Sequence, residues 1–294
     1  MIWDEMKFTL FLGCHIPARV QQYEISARAV LGKLGVEIVD IREFNCCGYP
    51  FRNMNFEAYV LSSARNLALS EGHGRNMMTL CKCCYGSLKK ADHLMKENSS
   101  LRGEINSILA EEGLEYRGGV EVKHFLSVLH KDIGVDRLTE KMTGSFKDLK
   151  IATHYGCHAL RPSDITDFDN PVAPVLFDQL VETTGARSID WPSKLECCGA
   201  PLFGVNDCLS LDLTQKKLAG GKESGADYLC TACPYCQLQF DAVQDMLIEQ
   251  RGVDYHLASI LFPQLLGLAM GIDSDTLGIK MNQIDISAIE AFLS

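Results

Sequence analysis

Phe11-Leu-Gly-Cys-His15 and His154-Tyr-Gly-Cys-His158 are the pair of segments on which the fold is decided, because the second repeats the first half a chain later. Working outward, Asn45-Cys-Cys-Gly-Tyr-Pro50 recurs as Glu196-Cys-Cys-Gly-Ala-Pro201, and Leu80-Cys-Lys-Cys-Cys84 recurs as Ala232-Cys-Pro-Tyr-Cys236. Cys14 and Cys157 are 143 residues apart, Cys46 and Cys197 are 151 apart, and Cys81 and Cys233 are 152 apart. Three motifs kept in order at nearly constant offset mark a tandem duplication. The sequence divides into a first repeat over residues 1–140 and a second over residues 141–294, joined near Gly134 to Lys147.

Each motif sits at the end of an apolar run. Lys7 to Leu12 and Leu149 to His154 read as buried strands ending at Gly13-Cys14 and Gly156-Cys157. Val36 to Ile41 and Arg187 to Asp190 read as second strands leading to the Cys-Cys-Gly turns, and Asn76 to Leu80 and Ala226 to Leu229 as third strands entering the CxxC motifs. Between them, Pro17 to Lys33, Phe56 to Ser70, Pro174 to Thr184 and Val205 to Ser224 carry helical spacing. Alternating strands and helices predict parallel βαβ units with right-handed crossovers. The expected fold is α/β: two pseudo-symmetric repeats of such units, with the cysteines at the C-terminal strand ends and helices closing the chain. Loops that follow parallel strands share one edge of the sheet, where open α/β folds bind ligands. Each set of five thiols is therefore expected to converge on one point.

Composition narrows the chemistry. The chain has 294 residues, is 47% hydrophobic and carries 13 cysteines with a net charge of −10. That length buries one large core or two ordinary ones. The acidic balance disfavours a nucleic-acid partner, since phosphate binding needs a basic surface. The start, Met-Ile-Trp-Asp-Glu, is acidic where a secretory signal is basic, so the cysteines are expected as reduced thiols in the cytoplasm. The uncharged stretch between Asp254 and Asp273 is broken by His256, Ser259, Pro263 and Gln264 and reads as a buried or partner-facing helix; no integral membrane segment is expected.

The thiol sets are Cys14, Cys46, Cys47, Cys81 and Cys84, and Cys157, Cys197, Cys198, Cys233 and Cys236, spaced C-x31-CC-x33-CxxC and C-x39-CC-x34-CxxC. Zinc closes its shell with four ligands, and a cubane iron–sulfur cluster also takes four. Five exceed one cubane and fall short of two, so an enlarged or unusually linked iron–sulfur cluster suits the count better than zinc; redox-active thiols without metal are the third reading. Cys83 adds a competing thiol inside the first CxxC. Cys208 and Cys230 read as small buried hydrophobes. Ile284 to Leu293 has amphipathic spacing suited to docking on the body or on a partner.

These patterns resemble the duplicated cysteine-rich CCG domain, and the chain is similar in length and layout to the B subunit of heterodisulfide reductase. Tyr155-Gly-Cys-His-Ala-Leu-Arg-Pro162, Cys233-Pro-Tyr-Cys-Gln-Leu-Gln-Phe-Asp241 and Tyr255-His-Leu-Ala258 carry the likeness beyond the ten cysteines. The resemblance implies two noncubane 4Fe-4S clusters, one per repeat, facing a cavity in which the mixed disulfide of coenzyme M and coenzyme B is reduced. It implies two partners from the same reductase, its ferredoxin-like iron–sulfur subunit and its flavin subunit, with a hydrogenase or formate dehydrogenase beyond them. A role as electron-transfer subunit of a succinate dehydrogenase-like or hydroxy-acid oxidase complex is the alternative.

The anionic groups of such a substrate call for cations. Arg19, Arg52 and Arg161, each within a few residues of a cysteine motif, are the candidate anchors. His15 and His158 follow the first cysteine of each set and His154 precedes the second. They are candidate proton donors or donors of hydrogen bonds to a cluster; the plainer reading is a ring bonded to a loop carbonyl.

Overall fold

The computed structural model describes residues 6–252 and 256–294. Met1–Glu5 and the Tyr255 of the family-like stretch lie outside the described residues. Strands β1 (Lys7–Phe11), β2 (Glu37–Val39), β3 (Asn76–Thr79) and β4 (Val122–His124) form a parallel sheet in the order β2-β1-β3-β4. Strands β5 (Lys150–Thr153), β6 (Arg187–Ile189), β7 (Tyr228–Thr231) and β8 (Ser259–Leu261) repeat it in the order β6-β5-β7-β8. Phe8 pairs with both Ile38 and Asn76, and Ile151 with both Ser188 and Tyr228, so each first strand is central. Their residues are buried from Phe8 to Phe11 and from Ile151 to Thr153, which is why they read as continuous rather than alternating apolar runs.

The crossovers are helical. After each Cys-Cys-Gly turn comes a 17-residue helix, Phe56–Gly72 or Asp207–Glu223. Asn55 and Asn206 cap them, their side-chain oxygens accepting the backbone N–H of Ala58 at 3.0 Å and of Leu209 at 3.2 Å. The CxxC motifs open two further helices, Lys82–Glu97 and Pro234–Phe240.

Several elements depart from the sequence reading. The fourth strands β4 and β8 were absent from it: Val122-Lys-His124 is short and carries a charge, and Ser259–Leu261 hides inside a longer apolar run. The stretch read as one helix from His256 is instead β8 followed by the helix Phe262–Ala269, with Pro263 in its first turn. A short apolar run does not by itself distinguish strand from buried helix. Every residue of that helix is buried, and Gln264 serves the Leu261 N–H and the Gly278 carbonyl. Cys230 is buried in β7 as expected, whereas Cys208 is exposed at the start of Asp207–Glu223, on the side of the helix away from the core.

The C-terminal segment stitches the halves together. Gln22 donates to Asn282, Lys33 to the Met270 carbonyl, and Phe146 bridges to Leu293, while Ile284, Ile286 and Ile289 are buried. Among the described residues, no helix is long and apolar enough to cross a membrane.

Candidate metal centre

The two halves bring their cysteines to the sheet edge by the same devices. Cys14 follows β1 and stands at the start of the short helix His15–Arg19; Cys157 follows β5. Gly48 and Gly199 turn the chain with φ of 81° and 93°. A Cβ on Gly48 would lie 2.6 Å from the Tyr59 carbonyl, and one on Gly199 would lie 2.5 Å from the equivalent Ser210 carbonyl, so only glycine fits. The helix behind each turn holds the second cysteine of the pair: Ser63 donates to the Cys47 carbonyl at 2.6 Å and Thr214 to the Cys198 carbonyl at 3.2 Å. Cys81 and Cys233 take the N-cap positions of the CxxC helices, which puts Cys84 and Cys236 in the first turn.

Within each half the five thiols form one connected group. Cys14 interacts with Cys46, Cys46 with Cys47, Cys47 with Cys84, and Cys84 with Cys81. The second half repeats the series as Cys157, Cys197, Cys198, Cys236 and Cys233; the Cys236 and Cys198 sulfurs are 3.5 Å apart. In each set the cysteine that opens the Cys-Cys pair has its pKa pulled down by its neighbours. Hydrogen bonds from Cys14 and Cys47, with help from the Gly48 N–H, bring Cys46 down to about 2. Cys157, Cys198 and the Gly199 N–H do likewise for Cys197, also about 2. Donation to those sulfurs pushes Cys47 and Cys198 up to about 12.

The two groups touch. The thiols of Cys81, Cys83 and Cys233 lie within 4.8 Å of one another, so Cys83 sits at the seam, buried. Two cavities flank it. Cys83 and Tyr235, the third residue of each CxxC motif, line both. Each half thus closes the other's cavity: Lys82 and Cys83 face the second set, and Pro234 and Tyr235 face the first. Buried Lys82 donates to the carbonyls of His154 and Tyr155 at 3.0 and 2.8 Å, pinning the strand that leads to Cys157. Gly86 allows the approach, since a Cβ there would sit 2.7 Å from the His158 carbonyl.

The histidines flanking the cysteines also reach across. His15 packs on the Tyr235 ring with centroids 3.9 Å apart, and its Nδ1 is buried without a hydrogen-bond partner among the described residues. His158 Nε2 meets the Tyr49 hydroxyl at 3.1 Å, while its Nδ1 lies 3.3 Å from the Cys157 sulfur and 3.4 Å from that of Cys83. Burial lowers both imidazole pKa values. Arg52 stacks on the Tyr49 ring at 4.9 Å. Arg19 and Arg161 are exposed and line neither cavity. His154 also lines neither; it is fully buried behind the second set, within 4.8 Å of the Cys198 and Cys236 sulfurs. Lys82, Tyr49 and Tyr235 escaped the sequence reading, although each lies inside or next to a cysteine motif.

The donor set fits an iron–sulfur group. Each pocket gathers the five sulfurs of one set, and five are one too many for tetrahedral zinc. The partnerless Nδ1 of His15 points the same way.

Two βαβ repeats, each gathering a C…CC…CxxC set at its strand ends, define a duplicated cysteine-rich protein with one thiol group per half. The model of the CCG family, "Cysteine-rich domain", matches residues 8–89 and 151–241. The chain is 40% identical over 283 residues to the B subunit of the ferredoxin/F(420)H(2)-dependent CoB-CoM heterodisulfide reductase of Methanosarcina acetivorans, covering 95% of this chain and 94% of that one. It is 29% identical to the 8-methylmenaquinol:fumarate reductase membrane anchor subunit of Wolinella succinogenes, over 97% and 99% of the two chains. A hypothetical protein from Helicobacter pylori shares the fold with a TM-score of 0.78 at 18% identity; the match covers 97% of this chain and 53% of that longer one. The chain belongs to the CCG cysteine-rich family, in the branch of the heterodisulfide reductase B subunits.

Proposed function

We propose that this chain is the disulfide-cleaving subunit of a heterodisulfide reductase complex, with Cys14, Cys46, Cys47, Cys81 and Cys84 holding one 4Fe-4S cluster and Cys157, Cys197, Cys198, Cys233 and Cys236 a second, both noncubane. The observation that carries this reading is the contact of the two thiol sets at Cys81, Cys83 and Cys233. A role confined to electron transfer needs only one centre near each partner. Two centres whose cavities meet at one seam, with Cys83 and Tyr235 lining both, suit a substrate with two sulfur ends. Bound there, the clusters supply the two electrons that break a sulfur–sulfur bond: RSSR′ plus two electrons and two protons gives RSH and R′SH.

The chain's own groups supply the rest. The cysteine thiolates hold the irons, and the two repeats set the spacing between the sites. Tyr49 and Tyr235 narrow the cavity and exclude water, and burial keeps both phenols protonated. The Tyr49–His158 pair on one side and His15 against Tyr235 on the other place protons beside each departing sulfur. Arg52 is the anchor best placed for an anionic substrate arm, with Arg19 and Arg161 further out. The relatives' membership of multisubunit enzymes supports a ferredoxin-like and a flavin partner in the cytoplasm. Phe51, Met54 and Phe56 beside the first Cys-Cys turn, and Phe203, Val205 and Leu209 beside the second, leave exposed apolar surface for them.

The test is turnover by anaerobically prepared protein with reduced viologen and the coenzyme M–coenzyme B disulfide. Oxidation of the dye with release of two thiols per two electrons is expected. A preparation with full iron and sulfide that oxidises no dye contradicts it. That result favours the second reading, an electron-transfer subunit, for which the Wolinella relative is the motivating observation.

A further inference from the structure

His154 and Phe11 occupy one position of the repeat, three residues before the first cysteine of each set. Their rings fill the same place. A Cβ on Gly156 would meet His154 Nε2 at 3.4 Å and the Cys236 sulfur at 3.9 Å; a Cβ on Gly13 would meet Phe11 Cε1 at 3.7 Å and the Cys84 sulfur at 2.8 Å. In one half a hydrocarbon ring and the second cysteine of the CxxC flank the glycine; in the other an imidazole takes the ring's place.

That imidazole is fully buried, and neither of its nitrogens has a hydrogen-bond partner among the described residues. Phe240 meets the ring edge-on at 5.0 Å, and the His154 backbone is tied on both sides: its N–H donates to the Cys230 carbonyl at 2.9 Å and its carbonyl accepts from Lys82. A neutral imidazole has one N–H to give. Buried polar groups without partners are rare in native proteins, and an absent ion or group beside them is one explanation. Its nearest candidates are the Cys198 and Cys236 sulfurs, within 4.8 Å.

We infer that His154 donates its N–H to sulfur of the second cluster, and that this bond, missing in the Phe11 half, makes the second cluster the easier of the two to reduce. Hydrogen bonds to cluster sulfur stabilise the more negative, reduced state. His154 is thus a positioning and tuning residue rather than one that meets substrate. Electrons settle first on the second half, and the first half follows. The inference rests on the cluster assignment above.

The experiment is a redox titration of the full, cluster-loaded chain followed by electron paramagnetic resonance, with iron and sulfide measured on every sample. The wild type is expected to show two centres of distinct potential. In His154→Phe the second centre's reduction equilibrium falls about tenfold or more, about 59 mV for a one-electron couple, with the first unchanged; His154→Gln, which keeps an N–H, recovers most of the shift. A loaded His154→Phe protein whose second potential matches the wild type overturns the inference while leaving the clusters in place. Wild-type protein without iron and sulfide overturns the cluster assignment, and this inference with it. If His154→Phe does not assemble, His154→Met against His154→Gln decides: a lower potential for Met alone supports the bond, and equal potentials refute it. A strong nitrogen coupling, the mark of a direct iron–nitrogen bond, also refutes it.

Discussion

Asn66 and Lys217 stand at the same place on the two long helices, and both bind the backbone that enters a Cys-Cys pair. Asn66 gives its amide to the Cys46 carbonyl at 3.1 Å; Lys217 gives its ammonium to the carbonyls of Ser193 and Glu196. Phe11 faces His154 across the repeat, and Lys82-Cys83 in the first CxxC faces Pro234-Tyr235 in the second. The changes run one way. Because each half closes the other's cavity, Lys82 adds its charge to the second site, where Lys217 and His154 already lie, while the first site receives a proline and a phenol. Burial lowers Lys217 to about 8. The duplication kept what fixes thiol geometry, namely strand ends, positive-φ glycines, asparagine caps and hydroxyl anchors. It varied what sets the electrostatics around the thiols. The shared features suit a metal site in each half; the differing ones would make the two unequal.

The largest break in this comparison should come from Lys82, which has no equivalent in the second half. Lys82→Met removes the donor of two buried carbonyls and is expected to destabilise the chain by roughly 2–4 kcal/mol. Denaturant unfolding measures it, and a loss under about 0.5 kcal/mol, the ordinary scatter of surface changes, means the seam does not depend on that ammonium.

A smaller and symmetric effect is expected at the turns. Gly48→Ala and Gly199→Ala each place a Cβ against a helix carbonyl at positive φ and should each cost about 1–3 kcal/mol. Similar costs sharpen the claim of equivalent backbones. A cost in one half only breaks it.

Much of this was legible in the sequence because the determinants are local. Cysteine spacing exposed the repeat, apolar runs before each motif placed the strands, and strand-end convergence predicted the two thiol groups. What stayed hidden depends on packing between the halves. That Cys83 sits at the seam, or that Tyr235 belongs to the first cavity, follows from two CxxC helices reaching across, which no spacing within one repeat encodes. The strands β4 and β8 were hidden because three residues carry too little periodicity. Cys208 misled because its small, apolar side chain suits a core, while its place in the first turn of an exposed helix face leaves it in solvent.

The central claim, one cluster per half on the thiols of that half, is tested most directly by iron and acid-labile sulfide analysis of anaerobic wild type, Cys47→Ala and Cys198→Ala. The wild type should hold about eight iron and eight sulfide per chain, two 4Fe-4S groups, and each variant about half, with a different paramagnetic signal lost in each. Two zinc ions without sulfide in the wild type, or the same signal lost in both variants, would contradict the account.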